Sequence, residues 1–175
     1  MTFPSLNGTV LVAVIASIVV RFGDVQSMAW GSDAVVHGMV TDVNVERDHL
    51  GRIMTWTELT VLDARSAAGH PVARNESLWL AQLGGTLQGE TFSVPGTTEF
   101  VVGDELVLCV VAMNRWPGVV IPHTLGAGVF RVQGSLGEIR GDIVDSAGRV
   151  SPARVIDDLE TFWLQTGLSG SELKP

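Results

Sequence analysis

Four histidines, one cysteine and five tryptophans carry most of the chemistry available to this 175-residue chain. His37, His49, His70 and His123 contain no i, i+4 pair, the spacing by which a helix presents two imidazoles to zinc. A lone Cys109 supplies no second thiolate for a structural zinc site. Strands can bring distant residues together, so His37, His123 and a carboxylate form the one candidate metal or hydrolytic set. The ordinary reading of His37 is a hydrogen-bonded histidine on a strand. Cys109 lies in an apolar run, whereas a reactive thiolate needs an electropositive, accessible setting. No nucleophile elbow and no phosphate-cradling loop is present. Gly126 and Gly128 do not open a helix and read as a tight bend. Glu138, Asp142 and Asp145 are oxygen-rich but lack the alternating spacing of a calcium loop. Arg140-Gly141-Asp142 is too short a match to an adhesion motif to count. No catalytic residue, metal or cofactor is expected.

The tryptophans are Trp30, Trp56, Trp79, Trp116 and Trp163. Aromatic faces on small barrels can stack bases or sugars. If Trp56 and Trp79 share an exposed face, a carbohydrate or peptide groove follows; otherwise they pack in the core or under a helix. Trp116 sits in Arg115-Trp116-Pro117-Gly118, a turn tip where burial is hard. Trp116, Arg115 and His123 therefore mark the loop region expected to meet a partner.

The elements that must position these residues read as short strands. Ser32 to Glu46 is β-branched throughout, with Val35, His37, Met39, Thr41, Val43 and Val45 on one pleat face and Val36, Gly38, Val40 and Asp42 on the other. Arg47 to Gly51 turns the chain into Arg52–Ala64, and Arg65 to Glu76 is a loop on composition. Further strands fall at Ser77–Leu83 and Thr86–Val94, and Glu99–Val102 leads to a turn at Gly103-Asp104. Glu105–Met113 is the most continuous apolar strand, followed by Val119–Ile121 and Val129–Val132. Phe22 to Gly31 suits a short helix. Gly141 to Val150 reads as a small hairpin around Asp145-Ser146-Ala147-Gly148. Ser151-Pro152 then reads as the start of a helix over Ala153–Gln165, ended by Gly167. Strands without strand–helix–strand alternation predict a mainly β fold, an OB-like closed or partly open barrel with one C-terminal helix packed on it.

Thr9 to Val20 holds twelve residues without a charge. That is shorter than the roughly 20 needed to span a bilayer, and it matches the apolar part of a secretory signal. The expected organisation is a signal or apolar segment at 1–20, a barrel at 21–150, its helix at 151–167 and a flexible tail at 168–175. The expected location is periplasmic or extracellular, with no stable transmembrane span.

Several motifs resemble a barrel seen in exported bacterial proteins of unassigned function, and more distantly the netrin module and the tissue inhibitors of metalloproteinases. Ser32, Asp33, Val35, Val36, Gly38 and Val40 match its opening strand. Phe100, Gly103, Asp104, Glu105, Leu106 and Leu108 match the segment that leads into a core strand. Leu83-Gly84-Gly85 and Val94-Pro95-Gly96 match its turns. The resemblance spans roughly residues 30–132 and implies a fold and an extracellular binding role. The inhibitors also rely on an N-terminal cysteine and several disulfides, and this chain has neither.

Composition narrows the partner. Eleven Lys+Arg stand against nineteen Asp+Glu, giving a net charge of −8. Nucleic acid is excluded as a partner, because phosphate binding requires clustered cations. The hydrophobic fraction of 46% excludes an acidic disordered tail. The expected function is a non-enzymatic exported module that binds a protein or peptide. The alternatives are an inhibitor or accessory of a secreted metalloprotease, and a small hydrolase with an unrecognised site.

Overall fold

The computed structural model describes residues 25–66, 75–133, 138–144, 150–156 and 158–168, with 138–144 and 150–156 as backbone. In chain order they form α1 (Val25–Trp30), β1 (Ala34–Arg47), β2 (Ile53–Arg65), β3 (Ser77–Leu83), β4 (Gly85–Leu87), β5 (Glu90–Phe92), β6 (Glu105–Ala112), β7 (Val119–Pro122), β8 (Val129–Gln133), β9 (Glu138–Val144), β10 (Val150–Ile156) and α2 (Leu159–Thr166). The expected export segment 1–20, the Asp145–Gly148 turn and all of the expected tail beyond Leu168 lie outside the described residues.

The chain is mainly β, with a closed five-stranded barrel and one short C-terminal helix. The barrel runs β1-β2-β3-β7-β6 and closes where β6 pairs with β1. All contacts around this ring are antiparallel except β3 with β7, which is parallel. Beyond the ring, β6 also pairs with β8, which continues to β9 and β10. The hairpin between β1 and β2 is set by Asp48, whose carboxylate accepts from the backbone N–H of Leu50 and Arg52, each at 2.9 Å.

Two bulges decide which side chains face inwards. Leu62 is an extra residue on β2 between the pairs His37–Asp63 and Gly38–Val61; Thr41 is an extra residue on β1 between Val40–Leu59 and Asp42–Glu58. A bulge reverses the alternation of a strand. Val36 and Val40 thus share the barrel core with Val43, although simple alternation puts Val43 on the opposite face. Asp42 and Asn44 turn outwards instead. Around these residues Leu59, Val61, Leu78, Leu80, Leu106, Leu108 and Val120 fill the interior. Each such side chain stabilises the fold by roughly 1.5–3 kcal/mol relative to exposure.

The expected turn at Gly103-Asp104 forms, with Gly103 at φ 92°, and the segment leading to it buries Phe100 in the barrel core. Asp104 Oδ2 accepts from Val101 N at 3.0 Å, and Gly103 N and Asp104 O bond the backbone of Val40, each at 2.9 Å. Arg131 holds Asp104 from β8. The expected strand Thr86–Val94 is split into β4 and β5, because Gln88 and Gly89 both turn at positive φ.

A second core lies outside the barrel. Val35, Val107, Cys109 and Phe130 on the outer faces of β1, β6 and β8 pack with Val25, Met28, Ala29, Phe162, Trp163 and Leu168. Phe162 meets the rings of Phe130 and Trp163 edge-on, at 5.1 and 5.8 Å between centroids. Trp30 Nε1 donates to Thr166 O at 3.1 Å, which joins the two helices. Arg65 lies 4.3 Å over the Trp163 ring. The expected α1 and the expected packing of a C-terminal helix on the barrel both occur.

The start of that helix differs from expectation. Ser151-Pro152 does not open it; both lie in β10, which pairs with β9. β10 is the last strand in the sheet order, where a proline's missing N–H leaves no central hydrogen bond unmade. The true N-cap is Asp158, extended at φ −163° and ψ 171°, whose carboxylate accepts from Thr161 N at 2.7 Å. Gly167 ends the helix at φ 66°, as a left-handed C-cap does.

Phe162→Ala should cost about 3–5 kcal/mol, read as a fall in denaturant midpoint; a loss under about 1 kcal/mol would contradict a packed helical layer. The backbone N–H and then the side chain of Thr161 hold the Asp158 carboxyl below the usual carboxylate range. A depressed carboxylate stabilises above its ordinary pKa, and that stabilisation is lost as pH falls through the folded value. Asp158→Ala should therefore lower Tm at neutral pH and leave it unchanged in strong acid. An equal fall at both would contradict the cap.

Candidate functional site

The outer face opposite the helices is built by β1, β2, β3 and β7. Its cross-strand rows follow from the register. One row is Asn44, Trp56 and Ala81; the next is Asp42, Glu58 and Trp79, with Val119 beside Trp79 on β7. Trp56 and Trp79 therefore do share one outer face as diagonal neighbours. Trp79 is 36% exposed and Ile121, two residues beyond Val119, is 38% exposed. Half-buried Trp116 comes back over this face, its ring 5.4 Å from that of Trp56 and tilted by 56°.

The turn that carries Trp116 is held by its own backbone. Trp116 N donates to Met113 O, and Val119 N donates to Trp116 O, both at 3.0 Å. Gly118 completes the turn at φ 80°, a left-handed conformation that favours glycine. Trp116 is thus less open than a turn tip suggests, because the strand face beneath it offers Trp56 as a partner. Arg115 stays exposed beside it. Trp56 Nε1 is covered and has no hydrogen-bond acceptor, an arrangement that costs roughly 1–3 kcal/mol.

His123 does not join this group. It follows the far end of β7, and its Nε2 lies 3.0 Å from where a Cβ on Gly31 would be. The next residues, Thr124 and Leu125, both have positive φ, at 57° and 56°. Gly126 is required there, since a Cβ would lie 2.6 Å from Gly96 O and 2.5 Å from Thr98 Oγ1. The expected tight bend before the Val129 strand is therefore present, and it faces the Gly96 loop.

His37 is already engaged. His37 Nε2 lies 2.7 Å from Glu105 Oε1 on the outer side of β1 and β6. Among the described residues no group of three metal-ligating side chains forms. Cys109 is wholly buried, and burial pushes its thiol up to about 12, against the smaller opposing effect of a hydrogen bond with Ser32. Among the described residues no helix is long and apolar enough to cross a membrane.

The residues that alternation alone does not reveal are Ile121 and Asp42. Ile121 reads as core from its type, and Asp42 is turned outwards by the Thr41 bulge. Comparison with known protein families, with curated proteins and with solved structures finds no match to this chain.

Cys109 should resist an aromatic disulfide reagent in the native protein at mildly alkaline pH and react at once in denaturant; rapid native labelling would contradict its burial. Its raised pKa also fixes a pH trend. The stabilisation from keeping the thiol protonated is full below the ordinary value of 9.0 and is lost as pH rises towards about 12.

Proposed function

We propose that this chain is a non-enzymatic, exported binding module that takes a protein or peptide segment on the outer face of β2, β3 and β7. The observation that carries the reading is the gathering of Trp56, Trp79 and Trp116 on that face, with Ile121 exposed alongside. Contiguous apolar surface on an acidic protein marks an interaction site more often than scattered residues do. Tryptophan is also the side chain most enriched where binding energy concentrates. The strand order supports an OB-type barrel, whose second and third strands and flanking loops form its usual binding face. Arg115 and Trp116 belong to the rim of this surface. His123 lies beyond the far end of β7 and is assigned no role in it. Export rests on the apolar run Thr9–Val20.

Peptides selected from a random display library on the full protein provide the test. Trp79→Ala combined with Ile121→Ser should weaken their binding by about tenfold or more, while the melting transition stays cooperative. Undiminished binding by that variant would remove the face from the proposal. Export predicts that the chain made in a bacterial host leaves the cytoplasm with its N-terminus trimmed near Ala16 or Ser17. An intact Met1 on protein held in the cytoplasm would contradict it.

A further inference from the structure

One row of this face carries unbalanced charge. The register sets Asp42 opposite Glu58, and Glu58 opposite Trp79. The neighbouring residues Val40, Val43, Leu59, Leu78 and Leu80 point into the barrel. Asp42, Glu58 and Trp79 therefore point out together. Like charges directly opposite one another weaken a sheet. Several other acidic side chains on or beside the strands are matched: Glu105 by His37, Glu90 by Arg47, Asp48 by Arg52 and Asp104 by Arg131. Asp42 and Glu58 have no such cation among the described residues. This cross-strand acidic pair adjoins the exposed tryptophan.

We infer that the partner of this face is a basic peptide segment in extended form, with an arginine or lysine seated between Asp42 and Glu58 against the Trp79 ring. Two carboxylates give a cation opposite charge on one side. The electron-rich face of the indole attracts it on the other. In an extended peptide, side chains at i and i+2 lie on one side. A cationic residue at the carboxylates can therefore be followed by an apolar one at Trp56 and Trp116 or at Ile121. The acidic balance of the whole chain favours the same encounter, because it attracts basic partners over distance. This inference rests on the reading of the face as a docking surface and adds the chemistry of what docks.

The experiment uses the full chain and two synthetic peptides, one alternating arginine and leucine, the other identical but with glutamine for arginine. Binding is read by tryptophan fluorescence at low and moderate salt. The arginine peptide should bind about tenfold more tightly, with a preference that shrinks as salt rises. Asp42→Asn with Glu58→Gln should abolish the preference. Glu99→Gln with Glu160→Gln, which removes the same charge elsewhere, should preserve it. Equal loss in both double variants would reduce the effect to net charge and overturn the inference. Equal binding of both peptides, lost in Trp79→Ala, would overturn it too while leaving the docking face standing. Binding of neither peptide, with no binder from the display library, would overturn both.

Discussion

The structure depends on β1 being hydrogen-bonded along both of its edges. Over Val35–Met39 it pairs with β6 on one side and β2 on the other. That double pairing closes the ring and separates an inside from an outside. Val36 and Val40 then belong to the barrel core, whereas Val35 belongs to the layer beneath the helices. A closed ring has no edge between these five strands for another chain to extend. Within the ring itself, what remains for recognition is the outer surface.

The helices use one part of that surface. Phe162 and Trp163 from α2, with Val25 and Met28 from α1, cover the outer faces of β1, β6 and β8. Among the described residues, no such layer covers the outer face of β2, β3 and β7. Its large apolar residues are either paired with one another, as Trp56 is with Trp116, or open, as Trp79 and Ile121 are. The same barrel wall thus carries the helical layer on one side and exposed Trp79 and Ile121 side chains on the other. The bulge at Thr41 joins the two halves of this argument, because it sends Val43 into the core and Asp42 out beside Glu58.

Much of the fold is legible in residue types. β-branched runs, Gly84-Gly85, the Asp48 turn and Gly167 all fall where strands, turns and a helix end are expected. The C-terminal region is less legible because two start signals compete. Ser151-Pro152 looks like a helix start, but proline is equally at home on an edge strand. Asp158 supplies the cap that wins. The site is partly legible: Trp56, Trp79 and Trp116 stand out as residues, and their shared face depends on register. Trp116 and Arg115 lie at that face, and His123 lies elsewhere, because β7 runs between them.

A mainly β barrel with a C-terminal helix, an inert buried Cys109 and the absence of a sequence pattern for catalysis all follow from the order of residue types. Those properties rest on local chemistry, namely side-chain shape, turn preference and hydrophobicity. Which tryptophans meet, which histidine finds Glu105 and which carboxylates stand unmatched are decided only by the folded sheet. Strand pairing joins residues far apart in the chain, and a single extra residue at a bulge reverses every side chain that follows it. No spacing along one strand carries that information.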